Sequence, residues 1–462
     1  MGTASAVAFA AGIVRQKVFA VYLGPEGLGL YGVLASLFDL AVVLVLVGAP
    51  AGLLREASAL VGRGDPQSVR VVVRSVRGVL FGVAGLFIVG AFIFGARIAG
   101  RFELPDAWVF VLSLGLPAVV LAATSEAVLN AFGRIRRLAA AKVTTTLVSL
   151  VVMVALVTVL GLHGSLIQIV TGAWVAALVS VVALRGVVSG AAPGKLAEHV
   201  SWTRVLRPVF ALGVAQIVMH GAANFNQFIF RSLLVLGEGE VAGGLYQGAM
   251  GLSRQYTAAF SAALYVYAYP RLSRRSSDPT AAGRELARVF RFLLALGLPA
   301  ALVLLAGRDV LVAAVFTADF EPMVPLLAWS LAVDPFQICV LVLAFAVLAT
   351  SSPMASLVLG LLYEATYLTV FAWGVTGWGV LGAVGAYGVA TAAGLILYGG
   401  YLMGRRGVPL PPSVVVRFVV ALAAAGAASR IALTPGGRLA MLALAAAWML
   451  FHRQELSAAF RA

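Results

Sequence analysis

Charge is what this 462-residue chain has least of: 11% of its residues are Asp, Glu, Lys or Arg, against 62% hydrophobic. A soluble protein of this length needs far more charged surface, so a water-soluble globular class is excluded. Cysteine is nearly absent as well. The lone Cys339 rules out an internal disulfide and any cysteine metal cluster, and only four histidines are present. There is no glycine-rich nucleotide-binding loop, no HExxH motif and no Ser-His arrangement, which argues against direct ATP hydrolysis and against an integral membrane enzyme. No cofactor and no metal ion are expected. Acidic residues are scarce too, 18 against 33 Lys and Arg, for a formal charge of +15. That charge is divided among short loops and forms no soluble basic domain, so it does not point to nucleic acid.

What the chain does have is a succession of apolar runs. Each is long enough to cross roughly 30 Å of hydrocarbon as a helix. The fold class is therefore an all-α, polytopic integral membrane protein. Spans are expected near 2–22, 30–54, 78–96, 107–129, 143–160, 165–188, 208–231, 243–269, 290–307, 323–348, 354–374, 379–403, 414–429 and 437–451, about fourteen in all. The opening MGTASAVAFAAGIVRQK reads as a retained span and not a removable signal, because its positive residues follow the apolar stretch.

Charge bias orients these spans. With the N-terminus cytoplasmic, most Lys and Arg fall on inward connections such as NAFGRIRRLAAAK, GKLAEHVSWTRVLR and RLSRRSSDPTAAGRELARVFR, and on the tail FHRQELSAAFRA. Both termini are then cytoplasmic. The largest connection, around 271–290, is expected to hold a small amphipathic turn of helix.

Two polar breaks resemble one another. LGPEGLGLY at 23–31 returns as LGEGEVAGGLY at 236–246, each between apolar runs. Gly24, Gly27 and Gly29, with Pro25, suit a tight turn, as do Gly237, Gly239, Gly243 and Gly244. An even number of spans between them puts both turns on one side. The pattern fits two parallel six-helix repeats, residues 1–200 and 201–406, followed by two additional helices in 407–462. Short membrane turns also need glycine without any repeat, so the feature alone leaves both readings open.

The stretch QKVFAVYLGPEGLGLYGVLASLFDLAVVLVLVGAPAGLLREAS resembles the opening of polysaccharide-type flippases of the multidrug, oligosaccharidyl-lipid and polysaccharide exporter superfamily. The likeness is clearest over 12–58, looser over 205–275, and points to O-antigen or repeat-unit translocases. It implies an alternating-access transporter with an N-lobe of six helices facing a C-lobe of six. It also implies a polyprenyl-diphosphate-linked oligosaccharide as cargo, carried from the cytoplasmic to the external leaflet of a prokaryotic inner membrane. Membrane lipids, and a polysaccharide polymerase or glycosyltransferases, are the implied partners. Two helices beyond the commonest twelve are a departure shared with lipid II flippases.

Polar residues inside the spans are the candidate site. Gln216, His220, Asn224, Gln227 and Arg231 fall within about 80° of arc on the seventh span, at about 100° per residue. Scattered polar groups would meet lipid at a cost, so one stripe fits a wet path or an amide-stitched helix contact. His220 has no companions for a metal site. Arg254 lies mid-span, with Gln247, Gly251, Ala258, Ser261 and Tyr265 at helical spacing, and is either a cavity cation or half of an internal salt bridge. On the first span Arg15 continues the face of Ser5, Phe9 and Gly12, while Lys17 points elsewhere. Asp39 shares a face with Gly32 and Ser36 and is placed to pair with Arg15 or Arg254, or to exchange a proton. Glu126 and Asp334 are expected close to cytoplasmic helix ends, and Glu364 deeper.

Arginine presents charge and a rigid donor fork to a diphosphate, and amides suit sugars. Arg15, Arg254, Arg231, Gln216, Asn224, Gln227 and Gln247 are therefore the candidate substrate contacts, with Asp39, His220 and Glu364 as candidate coupling or ion-pair groups. Asn226 sits off the main stripe. The embedded acids keep a cation-coupled small-molecule antiporter open as an alternative. A nontransporting scaffold is the third reading, with the stripes as closed bundle contacts.

Overall fold

The computed structural model describes residues 2–65, 67–102, 106–187, 206–275, 278–409, 412–431 and 434–453. Most of the loop GKLAEHVSWTRVLR, the tail beyond Arg453, Ser276 and Ser277 of RRSSDP, and the side chains of Ser5, Gln216, Ser261 and Tyr265 lie outside the described residues. The described chain is all helix and turn, and several of its helices are long and apolar enough to cross a membrane. It divides into two compact units, Met1–Leu236 and Gly237–Ala462.

Unit 1 contains α1 (Gly2–Leu46), α2 (Ala49–Gly62), α3 (Ser68–Gly100), α4 (Trp108–Ser113), α5 (Leu116–Ala131), α6 (Ile135–Leu184) and nearly all of α7 (Arg207–Glu238). Two of these are hairpins of two helical arms. α1 reverses at Gly24 (φ 62°) and α6 at Gly161 (φ 54°), in the left-handed region that glycine enters without steric cost. The reversal shows in the contacts. Phe19 and Tyr31 would be about 18 Å apart along one straight helix, yet their ring centroids are 4.6 Å apart. In α6 an added Cβ on Gly164 would overlap the Leu156 carbonyl, eight residues earlier. Only Gly24 of the first glycine cluster has positive φ; Pro25 then opens the second arm, where its missing N–H is harmless.

The span expected over 30–54 is broken. α1 ends at Leu46, Val47 (φ 47°) and Gly48 (φ 61°) turn left-handed, and α2 begins at Ala49 with Pro50 in its first turn. The break brings Gly48 and Gly52 so close to α7 that a Cβ on either would overlap the backbone of Gly213 or Val209. Val209 also joins the apolar cluster of Leu53, Val72, Leu80 and Val120, formed by α2, α3 and α5. A second cluster packs Val33 and Leu34 of α1 with Leu112 of α4, Leu166 of α6 and Val235 of α7.

Unit 2 contains α8 (Glu240–Arg274), α9 (Pro279–Ala306), α10 (Arg308–Val315), a 3-10 turn at Ala318–Met323, α11 (Val324–Thr350), α12 (Pro353–Arg406), α13 (Pro412–Arg430) and α14 (Pro435–Phe451). α12 is a third hairpin, reversing at Gly379 (φ 56°), and a Cβ on Gly382 would overlap the Gly374 carbonyl. The connection expected around 271–290 is mostly helix. Asp278 caps α9 by accepting from the Thr280 and Ala281 amides at 2.9 and 3.0 Å, with Pro279 in the first turn. Glu285 in the next turns is buried and pairs with Arg275 at 3.2 Å and Arg288 at 2.9 Å, which fastens α8 to α9. α13 and α14 pack on α9, where the Trp448 indole donates to the Leu294 carbonyl at 2.9 Å.

Candidate functional site

In unit 1, Arg15 faces a cavity of about 330 Å³ between the first arm of α1 and both arms of α6. Ala8, Ala11 and Gly12 keep this face of α1 low, at the i, i+3, i+4 spacing that puts them beside Arg15. Thr145, Thr146 and Ser149 come from the first arm of α6, and Gln168 from the second. The Gly161 reversal is what carries the Gln168 amide back opposite Ser149. A guanidinium, three hydroxyls and an amide around one cavity form a polar, cationic binding surface, in which the Thr146 hydroxyl donates to the Lys142 carbonyl at 2.9 Å. No acidic residue is among those that line it.

Tyr31, from the first LY motif, has Arg15, Asp39 and Arg231 as its charged neighbours. Three residues chosen from three separate stretches of sequence thus share one environment in unit 1. The α7 stripe is less uniform than its spacing implies. His220 is exposed, and its carbonyl accepts from the Asn224 amide at 2.8 Å; Asn224, Gln227 and Arg231 are half-buried. Asn226, off the main stripe, is buried at 3% exposure, and Ser232 of α7 is buried as well.

Unit 2 holds a denser polar interior between α8, α11 and the two arms of α12. Asp334 is fully buried in the body of α11, not close to a helix end as its neighbourhood in the sequence implies. Its Oδ1 accepts from Ser253 of α8 at 2.7 Å and from Tyr387 of α12 at 2.9 Å, while its buried Oδ2 has no hydrogen-bond partner among the described residues. One turn along, Gln337 Oε1 accepts from Tyr363 at 3.2 Å and Thr391 at 2.9 Å. Tyr367 sits between Tyr363 and Tyr387, with ring centroids 6.4 Å away on each side. Arg254 is half-buried and lies within electrostatic reach of Tyr367; Glu364, also half-buried, lies within reach of Tyr363 and Tyr398. Gln247 is half-buried on α8. Glu126, near the end of α5, pairs with Lys142 at 3.4 Å.

The tyrosines are interior polar residues that sequence reasoning missed. A signal was there: Tyr363, Tyr367 and Phe371 recur every fourth residue, and Tyr387, Thr391 and Tyr398 follow the helical period on the far side of Gly379. Gly394 lets the two arms close, since a Cβ there would press on the Tyr363 ring. Among the described residues no group of three His, Cys, Asp or Glu could hold a metal ion.

The model of the polysaccharide biosynthesis protein family matches residues 18–325 of this chain. The lipid III flippases of Escherichia coli strain K12 and of Shigella flexneri are each 26% identical to it over 389 residues, covering 82% of this chain and 91% of each relative. Among solved structures, lipid II flippase MurJ in its inward closed conformation superposes with a TM-score of 0.75 at 13% identity, over 100% of this chain and 99% of that one. An inward-facing multidrug resistance MATE family transporter of the MOP superfamily superposes with a TM-score of 0.67 at 13% identity, over 86% of this chain and 96% of that one. At such identities the two structures show a shared fold.

Proposed function

Because the chain belongs to the polysaccharide biosynthesis protein family, flippase-like members of the MOP superfamily, we propose that it flips a polyprenyl-diphosphate-linked oligosaccharide from the cytoplasmic to the external leaflet. The cycle is alternating access, in a prokaryotic inner membrane, and no bond is made or broken. The observation that carries the reading is the unit 1 cavity, whose lining sets Arg15 among three hydroxyls and an amide and includes no acid. A diphosphate and its sugars cannot enter hydrocarbon unaccompanied, and this surface offers them a charge and donors in place of water. Arg231 and Asn224, Gln216 and Gln227 of α7 extend the contact surface of unit 1; Arg254 and Gln247 supply that of unit 2. Asp39, His220 and Glu364 are the coupling or ion-pair groups. Several moderate contacts favour turnover, since a cargo held too tightly is not released. With no nucleotide site to drive it, the cycle draws on an ion gradient, the membrane potential or downhill substrate flux. One charge crossing 100 mV gains about 2.3 kcal/mol.

The same reading includes fourteen crossings with both termini cytoplasmic, as two six-helix lobes over 1–200 and 201–406 and two added helices in 407–462. The glycine turns support it. Gly24 and Gly239 are 215 residues apart and Gly161 and Gly379 are 218 apart, so the left-handed hairpin turns recur at nearly one interval. The supplying glycosyltransferases and a consuming polymerase are the implied partners beside membrane lipid.

Vesicles reconstituted with a lipid-diphosphate-oligosaccharide provide the test. Arg15→Gln and Arg254→Gln are expected to lower binding or flipping by about tenfold or more each, as loss of a charge-assisted contact does. Arg254→Lys should recover only part, because charge remains without the planar fork. Full transport by the folded Arg15/Arg254 double variant overturns both assignments. Transport of cationic compounds, but of no lipid-diphosphate sugar, replaces the reading with the antiporter.

A further inference from the structure

α3 opens with arginines at 70, 74 and 77, a spacing that stacks them along one face. With Arg185 at the end of α6, all three line a second cavity of unit 1, about 640 Å³ in volume, and none of its lining residues is acidic. The remaining wall is mostly apolar, with Phe81 from α3, Leu121 from α5 and Val181 from α6. Arg77 shows how the seat is made. Its Nε donates to Thr124 Oγ1 at 2.8 Å and its Nη2 to Ser125 Oγ at 2.7 Å. Both hydroxyl-bearing residues are fully buried, and Thr124 is itself fixed by donating to the Val120 carbonyl at 2.7 Å. Two neutral acceptors therefore set the plane of the guanidinium without supplying a countercharge. A half-buried cation in apolar surroundings is costly until an anion joins it.

We infer that this cavity is a binding site for an anionic phospholipid, its phosphate held by the arginine stripe and its acyl chain laid along Phe81, Leu121 and Val181. The apolar wall favours a lipid over a soluble anion, because a free phosphate would leave that wall wet. Depth agrees. The 33 residues of α3 extend about 50 Å, well beyond a hydrocarbon layer of about 30 Å. Its first turns, together with the ends of α5 and α6, then stand at headgroup level on the face where basic residues gather. None of the residues assigned to cargo lines this cavity, so the inference stands apart from the flippase reading.

The full-length protein in mild detergent, titrated with phosphatidylglycerol or phosphatidylcholine and followed by native mass spectrometry, tests it. Wild type is expected to retain phosphatidylglycerol about tenfold more tightly than phosphatidylcholine. Arg74→Gln/Arg185→Gln should remove that preference; both side chains are exposed, so the fold is spared. Arg405→Gln/Arg406→Gln, exposed arginines of unit 2, should leave it intact. Leu121→Trp, which fills the apolar wall and keeps every arginine, should weaken lipid retention. Equal retention of the two lipids by wild type overturns the site, as does an unchanged preference in the Arg74/Arg185 variant. Displacement by inorganic phosphate as readily as by phosphatidylglycerol, with Leu121→Trp binding like wild type, makes it a soluble-anion site and overturns the lipid assignment.

Discussion

In unit 1 the polar groups of α1 and α6 line an open cavity, whereas in unit 2 those of α8, α11 and α12 bond largely to one another. Arg15 is exposed into its cavity; Asp334 has no exposure at all and holds two hydroxyls on one oxygen. Both arrangements keep polar atoms away from lipid, but they use the hydrogen bond differently. A donor left facing a cavity is available to a ligand and contributes little to the fold. A donor spent inside a buried network contributes to the fold and is available to nothing else. One interior is thus built for contact, the other for holding three helices in register.

The largest expected effect tests the closed network. Asp334→Ala strips the acceptor from Ser253 and Tyr387 and opens a void, at a cost of about 3 kcal/mol or more. Thermal unfolding in detergent should show a clear loss of midpoint. An unchanged midpoint would mean that unit 2 is no more tightly tied than unit 1. Tyr363→Phe is gentler. It removes one donor to Gln337 and leaves Thr391 in place, so about 1 kcal/mol is expected by the same measurement. The smallest effect belongs to the open cavity. Ser149→Ala should leave stability within about 0.5 kcal/mol while weakening retention of the sugar-bearing lipid. A destabilisation as large as that of Tyr363→Phe would show that the unit 1 hydroxyls are structural too, and the contrast would fail.

The contrast also marks where the sequence was legible. Arg15, Asp39 and Arg231 stood out because charge inside an apolar run is conspicuous, and each lies within electrostatic reach of Tyr31. The tyrosines of α12 did not stand out, since an aromatic side chain passes as ordinary membrane apolarity until a partner claims its hydroxyl. Arg77 escaped notice as one of several basic residues at a span end; nothing nearby in the chain announces that Thr124 and Ser125, more than forty residues on, complete its seat. The break at Val47–Gly48 was hidden by an unbroken apolar run, because hydropathy does not report backbone angles.

By itself the sequence determined the membrane class, the helical content, the glycine turns and the polar faces. Each of these depends on a residue and its neighbours within a turn or two, through hydropathy, helical period and the freedom of glycine. Only the tertiary structure decided which glycine of each cluster turns, which carboxylate is enclosed, and which polar residues share a cavity. Those outcomes depend on chain reversal. Gly161 brings Gln168 back to Ser149, and Gly379 brings Tyr387 and Thr391 into the interior that Tyr363 and Tyr367 line. A buried polar group must find its partner wherever packing delivers one, and packing is settled between helices, not along them.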